Sequence, residues 1–185
     1  MRTLSIIAIA AGLSAAPFAG AQAATVFASA GEIVVDGPRS SRGGRDNIDN
    51  ALGEELGAFF ELGFGAVVDF TFGGLAQGDV NIVEVSFGRP QALSEEATVS
   101  VGLNGVFTEI GTATAIAGQA PTGTTLSYNG LYDTVRLEDI SPIRGNATSG
   151  GFDVDRISVA IIPLPATGAA LLAGLGALTL LRRRA

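Results

Sequence analysis

The sequence predicts an all-β fold, a β-sandwich or jelly roll of about nine short strands, flanked by an N-terminal signal peptide and a C-terminal transmembrane helix. Three observations predict the sandwich. Apolar and polar residues alternate at period two in the middle of the chain, as in Ala97, Val99, Val101 and Leu103 against Thr98, Ser100 and Gly102. Gly-rich turn signals recur between such runs at close spacing. No stretch of the domain holds a helical period: Asn50 to Glu55 opens like a helix, but Gly53, Gly57, Gly63 and Gly65 recur too closely to sustain one.

The elements follow in order. Val26-Phe27-Ala28 and Ile33-Val34-Val35 are β-favouring runs, and Asp36-Gly37-Pro38 ends the second as a turn. Arg39 to Asp46, polar and Gly-rich with three arginines, is a loop, read either as a solvated connector or as a rim that binds a sugar or an anion. Strands are expected over Phe59 to Leu62 and Ala66 to Phe72, the latter with Val68, Phe70 and Phe72 on one face. Gly73-Gly74 and Gln77-Gly78-Asp79 read as turns, and Val80 to Phe87 as a strand with Val83, Val85 and Phe87 inward and Ile82, Glu84 and Ser86 on the opposite face. Asn104-Gly105 joins Ala97 to Leu103 and Val106 to Ile110 as a hairpin, because a type I′ turn needs positive φ at both central residues. Gly111 to Gly123 reads as a long loop, Leu126 to Tyr128 as a short strand, and Thr134 to Asp139 as a strand with Val135 and Leu137 inward. In the last strand the inward set begins as Phe152 and Val154 and becomes Ile157, Val159 and Ile161, a change of parity that calls for a bulge near Asp155-Arg156.

The ends of the chain carry targeting signals. Met1-Arg2, the apolar Leu4 to Leu13 and the small-residue run to Ala23 read as a secretory signal peptide over residues 1–23, with Ala21 and Ala23 in the A-x-A pattern and Ala24 as the mature N-terminus. Its expected partners are the Sec translocon and signal peptidase. From Leu164 to Leu181 there are 18 residues without a charge, which at helical rise makes roughly 27 Å, close to the hydrocarbon thickness of a bilayer. Arg182, Arg183 and Arg184 follow as a stop-transfer cluster, which places them on the cytoplasmic side and the domain on the far side. Pro163 and Pro165 prevent the helix from extending backwards, so the junction is extended and open to an enzyme.

The segment 161–185, with Pro163, Leu164, Pro165 and Ala166 ahead of a span and an Arg cluster, resembles the bacterial sorting signals called PEP-CTERM, most closely their VPLPA variant, with Ile162 in place of Val. The resemblance implies a substrate of exosortase, a membrane protease-transpeptidase. That enzyme would cut near the motif and pass the domain to the cell surface or extracellular matrix. An ordinary C-terminal anchor is the alternative.

The domain of residues 24–160 holds all 18 acidic residues and seven of the 11 basic ones, all arginine, for a net charge of −11. An anionic, Lys-free surface argues against nucleic acid and suits sugars, polyols or divalent cations. Without Cys or His there are no disulfides, no Ser-His-Asp triad, no Cys-His dyad and no usual zinc ligands. Asn50 to Gly53 leading to Phe60 to Gly65, then Asp133 to Asp139, and Gly150 to Asp155 resemble exported bacterial proteins with discoidin-like, galactose-binding-like sandwiches. That resemblance implies ligand loops at one end and often a structural Ca²⁺. Leu56-Gly57 stands where such proteins often read Asp-Gly, and Gly65-Ala66-Val67 replaces a common Gly-Gly-Ser, so the first loop departs from the pattern that would supply metal ligands.

Asp153 and Asp155 leave one face of a strand roughly 7 Å apart, near enough to act on one cation, and Asp139 with backbone carbonyls would complete a Ca²⁺ site. The alternative is neutralisation by Arg136, Arg144 or Arg156. Two function classes stay open: a non-catalytic domain associated with carbohydrate or exopolysaccharide, and a glycan-active enzyme using two carboxylates. The pairs Glu54/Glu55, Glu95/Glu96 and Glu138/Asp139 are sequence neighbours that a strand would point to opposite faces, so spacing nominates no catalytic residue.

Overall fold

A computed structural model of the chain describes residues 23–55, 57–85, 95–115, 122–143 and 150–162. The signal peptide, the sorting motif, the apolar span and the Arg cluster lie outside the described residues, and among those described no helix is long and apolar enough to cross a membrane.

Among the described residues the domain is an antiparallel sandwich of eight strands: β1 (Ala24–Phe27), β2 (Ala30–Val35), β3 (Phe60–Glu61), β4 (Val67–Glu84), β5 (Glu96–Leu103), β6 (Val106–Thr114), β7 (Thr122–Asp139) and β8 (Asp153–Ile161). The two long strands build both layers. The first half of β4 lies between β2 and the second half of β7, which continues to β5 and β6. The second half of β4 lies between the first half of β7 and β8, which also carries β1 and β3.

Four expected strands are therefore two. Gly73 and Gly78 adopt the left-handed conformations foreseen for turns, with φ of 71° and 94°, but they act as irregularities inside a continuous β4, where the register with β7 shifts between Thr71 and Ala76 and again between Gln77 and Gly78. A turn signal inside a long strand becomes a bulge when both flanks keep the same partner, because bulging bends the strand without ending its ladder. Leu126 to Tyr128 and Thr134 to Asp139 merge into β7 for the same reason. The expected loop from Gly111 shrinks as well: β6 runs on to Thr114, and Ala113 and Ala115 are buried. Of the helix-like start at Asn50, Asn50 and Ala51 close a 3-10 turn, Ile48–Ala51, and the chain is not helical beyond it; a separate 3-10 turn, Arg42–Gly44, lies in the arginine loop.

The core is apolar and continuous. Phe60, Phe70, Phe152, Leu62, Ile82, Leu137 and Ile157 are among its largest fully buried side chains, with Tyr132. Val68, Phe70 and Phe72 face inward, as do Ala97, Val99, Val101, Val135 and Leu137, each as the alternation predicts. The Asn104-Gly105 turn has positive φ at both residues, 52° and 78°. In β8 the predicted bulge is present: Val83 pairs with Arg156 and Glu84 with Val154, leaving Asp155 extra, so that Phe152, Val154, Ile157 and Val159 are all buried.

One face was read inverted. In the second half of β4 Val80, Ile82 and Glu84 are buried, Val83 and Val85 are half-buried, and Phe87 lies outside the described residues. The expectation placed a carboxylate in solvent, whereas the fold takes Glu84 inside to join other buried acids.

Candidate functional site

Two features stand at one end of the sandwich, a cavity in the arginine loop and a group of buried carboxylates at the start of β8. The described residues of the loop from Asp36 to Phe59 are held by its asparagine side chains and by bonds to β1–β2 and β8. Asn47 caps the second 3-10 turn by accepting the Asp49 N–H at 3.2 Å. Asn50 Nδ2 donates to the Gly44 carbonyl at 2.9 Å and the Phe59 carbonyl at 3.2 Å, drawing both sides of the loop together. The Gly53 N–H donates to Ala28 O at 3.0 Å, and Arg156 reaches the Glu54 carbonyl at 3.1 Å.

Within this frame Arg42, Gly43, Arg45, Asn50, Gly57, Ala58 and Phe59 line a cavity of about 390 Å³. The Arg45 guanidinium lies over the Phe59 ring, 4.9 Å from its centroid. Arg39 packs on the Phe60 ring at 5.0 Å and pairs with Asp36. The sequence offered this loop as connector or rim, and its cavity has the arginines of the second reading. Of the three neighbouring phenylalanines, Phe60 is in the core, while Phe59 and Phe64 are half-buried.

The carboxylates beneath the loop are a different kind of group. Glu61, Glu84, Asp139, Asp153 and Asp155 are each at most 5 % exposed. Asp139 is spent on the backbone: its oxygens accept from the N–H groups of Phe152 at 2.7 Å, Ser141 at 3.2 Å and Gly65 at 3.3 Å, and from the Ser141 hydroxyl at 2.8 Å. Burial raises its pKa, and these hydrogen bonds oppose the rise. Asp139 is thus a clamp between the β3–β4 loop and both ends of the β7–β8 loop, with both of its oxygens engaged by protein donors.

Glu61 accepts the Ser40 N–H at 2.7 Å and stands 3.9 Å from Arg45. Asp155 Oδ1 accepts the Gly57 N–H at 3.1 Å, which pins the loop to the bulge of β8. Asp155 Oδ2 and Asp153 Oδ1 are buried without a hydrogen-bond partner. Arg136 does not neutralise them, since it forms a two-point pair with Asp69 at 2.7 and 2.8 Å and covers the Phe107 ring at 3.6 Å; Arg156 lies over Phe27, and Arg144 is outside the described residues. Burial, then the nearby Glu95 and Glu61 charges, push Asp153 up to about 9, with Arg45 pulling the other way. Burial followed by Glu84, Asp139 and Glu61 pushes Glu95 up to about 8. A carboxyl group so placed must take a proton or meet a cation.

The donor set suits a hard cation only in part. Carboxylate oxygens are the right chemistry for Ca²⁺, and two lack partners, but among the described residues no group of three or more His, Cys, Asp or Glu is gathered closely enough to hold a metal ion. Backbone carbonyls would have to supply the rest. The sequence set Glu84 outward and assigned Glu61 no role, although the signal was present: each is a single carboxylate flanked by apolar residues, Phe60 and Leu62 around one, Val83 and Val85 around the other.

A second, more open cavity of about 550 Å³ is lined by Thr71, Gly73, Gly74, Leu75, Gly105, Asp133 and Thr134. It sits beside the last described residue, since the Ile162 N–H donates to the O of Leu75 in its lining at 3.1 Å.

Solved structures share this architecture. The chain matches the CBM32 of AlyQ in complex with 4,5-unsaturated mannuronic acid with a TM-score of 0.54 at 12% identity, over 74% of this chain and 97% of that one. The fold is that of family 32 carbohydrate-binding modules. A truncated AlyQ with CBM32 and alginate lyase domains matches with a TM-score of 0.53 at 12% identity; 76% of this chain is covered, and it spans 34% of that larger one. The CBM32-1 and CBM32-2 domains of Clostridium perfringens ZmpB match with a TM-score of 0.51 at 14% identity, over 74% of this chain and 35% of theirs. No protein-family model matches the sequence, and no curated protein matches it.

Proposed function

We propose that this protein is an exported, non-catalytic carbohydrate-associated module, sorted by an exosortase-type enzyme to the cell surface or matrix, where it engages exopolysaccharide through the arginine-loop cavity. The observation that carries the reading is an end-loop cavity built on a sandwich whose solved neighbours include a module in complex with a sugar acid. Placement supports it too. The loop is tied to Asp155 at the start of β8, and the tail departs after Ile161 at its end. Six strand steps separate Asp155 from Ile161, roughly 20 Å, so the cavity lies at the end of β8 remote from the sorting segment.

Asp153 and Asp155, with backbone carbonyls, are the residues that would hold Ca²⁺. The cation would supply charge neutralisation beneath the loop and so rigidify the cavity.

A glycan array probed with the full chain in detergent tests the binding reading, and a reducing-sugar assay on the same glycans tests the enzymatic alternative. That alternative has one observation in its favour, carboxyl groups held protonated near neutral pH as a general acid would be. Binding without release of reducing ends is the expected result. Release of reducing ends that depends on Glu95 or Asp153 would overturn the non-catalytic reading.

A further inference from the structure

The cavity carries a chemical bias that narrows its ligand, and the inference drawn from it rests on the carbohydrate reading above. In a domain of seven arginines and 18 carboxylates, a cation without an acidic partner is scarce. Arg39 pairs with Asp36, Arg136 with Asp69, Arg45 stands 3.9 Å from Glu61, and Arg156 lies over Phe27. Among the described arginines only Arg42 has neither a carboxylate partner nor a ring contact, and it is exposed on the cavity rim.

The cavity is also a poor stacking platform. Neutral pyranoses are commonly gripped by an open aromatic face, but the Phe59 ring is covered by Arg45 at 4.9 Å. The chain has no Trp, and its two tyrosines, Tyr128 and Tyr132, stand on β7. What the cavity offers instead is guanidinium donors and one amide. Asn50 Nδ2 is engaged with the Gly44 and Phe59 carbonyls, so Oδ1 is what it presents to a ligand hydroxyl.

We infer that the cavity takes a carboxylate-bearing sugar, a hexuronate unit of an acidic polysaccharide, with the ligand carboxylate on Arg42 beside Arg45 and a ring hydroxyl donating to Asn50 Oδ1. The planar fork of an arginine matches a carboxylate in two-point geometry, which an ester or a neutral hydroxymethyl group cannot reproduce. A sulfate ester offers the same charge without that planar match. The net charge of −11 on the domain repels long polyanions at low salt, but at physiological ionic strength the field is screened within about 8 Å, leaving the local pair to decide short ligands.

Calorimetric titration of the full chain in detergent tests this with uronate trisaccharides, their methyl esters, a sulfated galactose trisaccharide and a neutral galactose trisaccharide. The uronates are expected to bind at least tenfold tighter than their esters and tighter than the sulfated sugar. Arg42→Gln should remove that advantage and Arg42→Lys retain part of it, with unchanged circular dichroism. Equal affinity for uronate, ester and neutral sugar would overturn the carboxylate preference and leave carbohydrate binding standing, and so would preference for the sulfate ester. Uronate binding undisturbed in Arg42→Gln would overturn the placement. No binding to any of these, or to a broad array of neutral glycans, would sink the carbohydrate reading itself.

Discussion

Asp139 illustrates how one side chain can fix two loops. Its carboxylate receives three backbone N–H groups and a hydroxyl, so removing it strands buried donors from Ser141 and Phe152 and frees the exposed Gly65 N–H. An unsatisfied buried polar group costs about 1–3 kcal/mol, and we expect Asp139→Ala to lose about 3 kcal/mol in urea unfolding, with Asp139→Asn losing less because one acceptor oxygen remains. A loss below about 0.5 kcal/mol would show that water replaces the clamp. Gly63 is a second such residue. Its φ is +88°, and a Cβ there would sit 2.7 Å from the Gly37 carbonyl oxygen, with backbone rather than a flexible side chain in the way. Gly63→Ala should therefore destabilise by more than about 1 kcal/mol, the helical or strand Gly-to-Ala gain being reversed where φ is positive. At this scale the sequence was partly legible. It flagged Asp139, but whether a carboxylate meets a cation or a ring of N–H groups depends on loops that meet only in three dimensions.

At the scale of elements, periodicity located strands well and their ends poorly. The β8 bulge was legible because a change of parity within one apolar strand has no other cheap solution. The continuity of β4 and β7 was not, because Gly73 and Gly78 send the same local signal whether the chain turns back or only bends. Inward carboxylates were hidden by the sound expectation that acids face water. They leave a measurable trace. Asp153 and Glu95 are raised to about 9 and about 8, above their unfolded values, so each contributes stability that is full below about pH 4 and is progressively lost as pH rises towards its folded value. In chelator, the melting temperature should accordingly fall between pH 6 and 9, and Asp153→Asn should flatten that fall. A wild-type melting temperature that rises over this window would contradict the buried, protonated state. Millimolar Ca²⁺ should raise the melting temperature at pH 8 in the wild type and not in Asp153→Ala with Asp155→Ala; equal shifts in both would exclude these residues as the ligands.

For the whole molecule, the two expected processing points converge on one edge of the sandwich. Ala24, the expected first residue after signal-peptide removal, pairs with Ile161, and the ladder ends one residue later at the Ile162 N–H to Leu75 O bond of 3.1 Å. Pro163 has no N–H to extend it, so the last described ladder bond is made by the residue directly before the Pro-Leu-Pro-Ala segment. An enzyme that recognises the motif must then work against the face of the folded domain, or wait for the end of β8 to fray. Fraying of a terminal pair costs little, yet it is a step that a linker would remove. We expect insertion of Gly-Ser-Gly-Ser between Ile162 and Pro163 to speed tail removal several-fold in a host carrying the sorting enzyme, followed by pulse-chase and intact mass, whereas Pro163→Ala with Pro165→Ala should leave the protein in the inner membrane with Arg184 attached. Mature surface protein that retains Arg184 in such a host would favour the plain anchor. Normal release of the double Ala variant would remove the motif from recognition, and an unchanged rate with the linker would mean that the enzyme reaches the motif without disturbing β8.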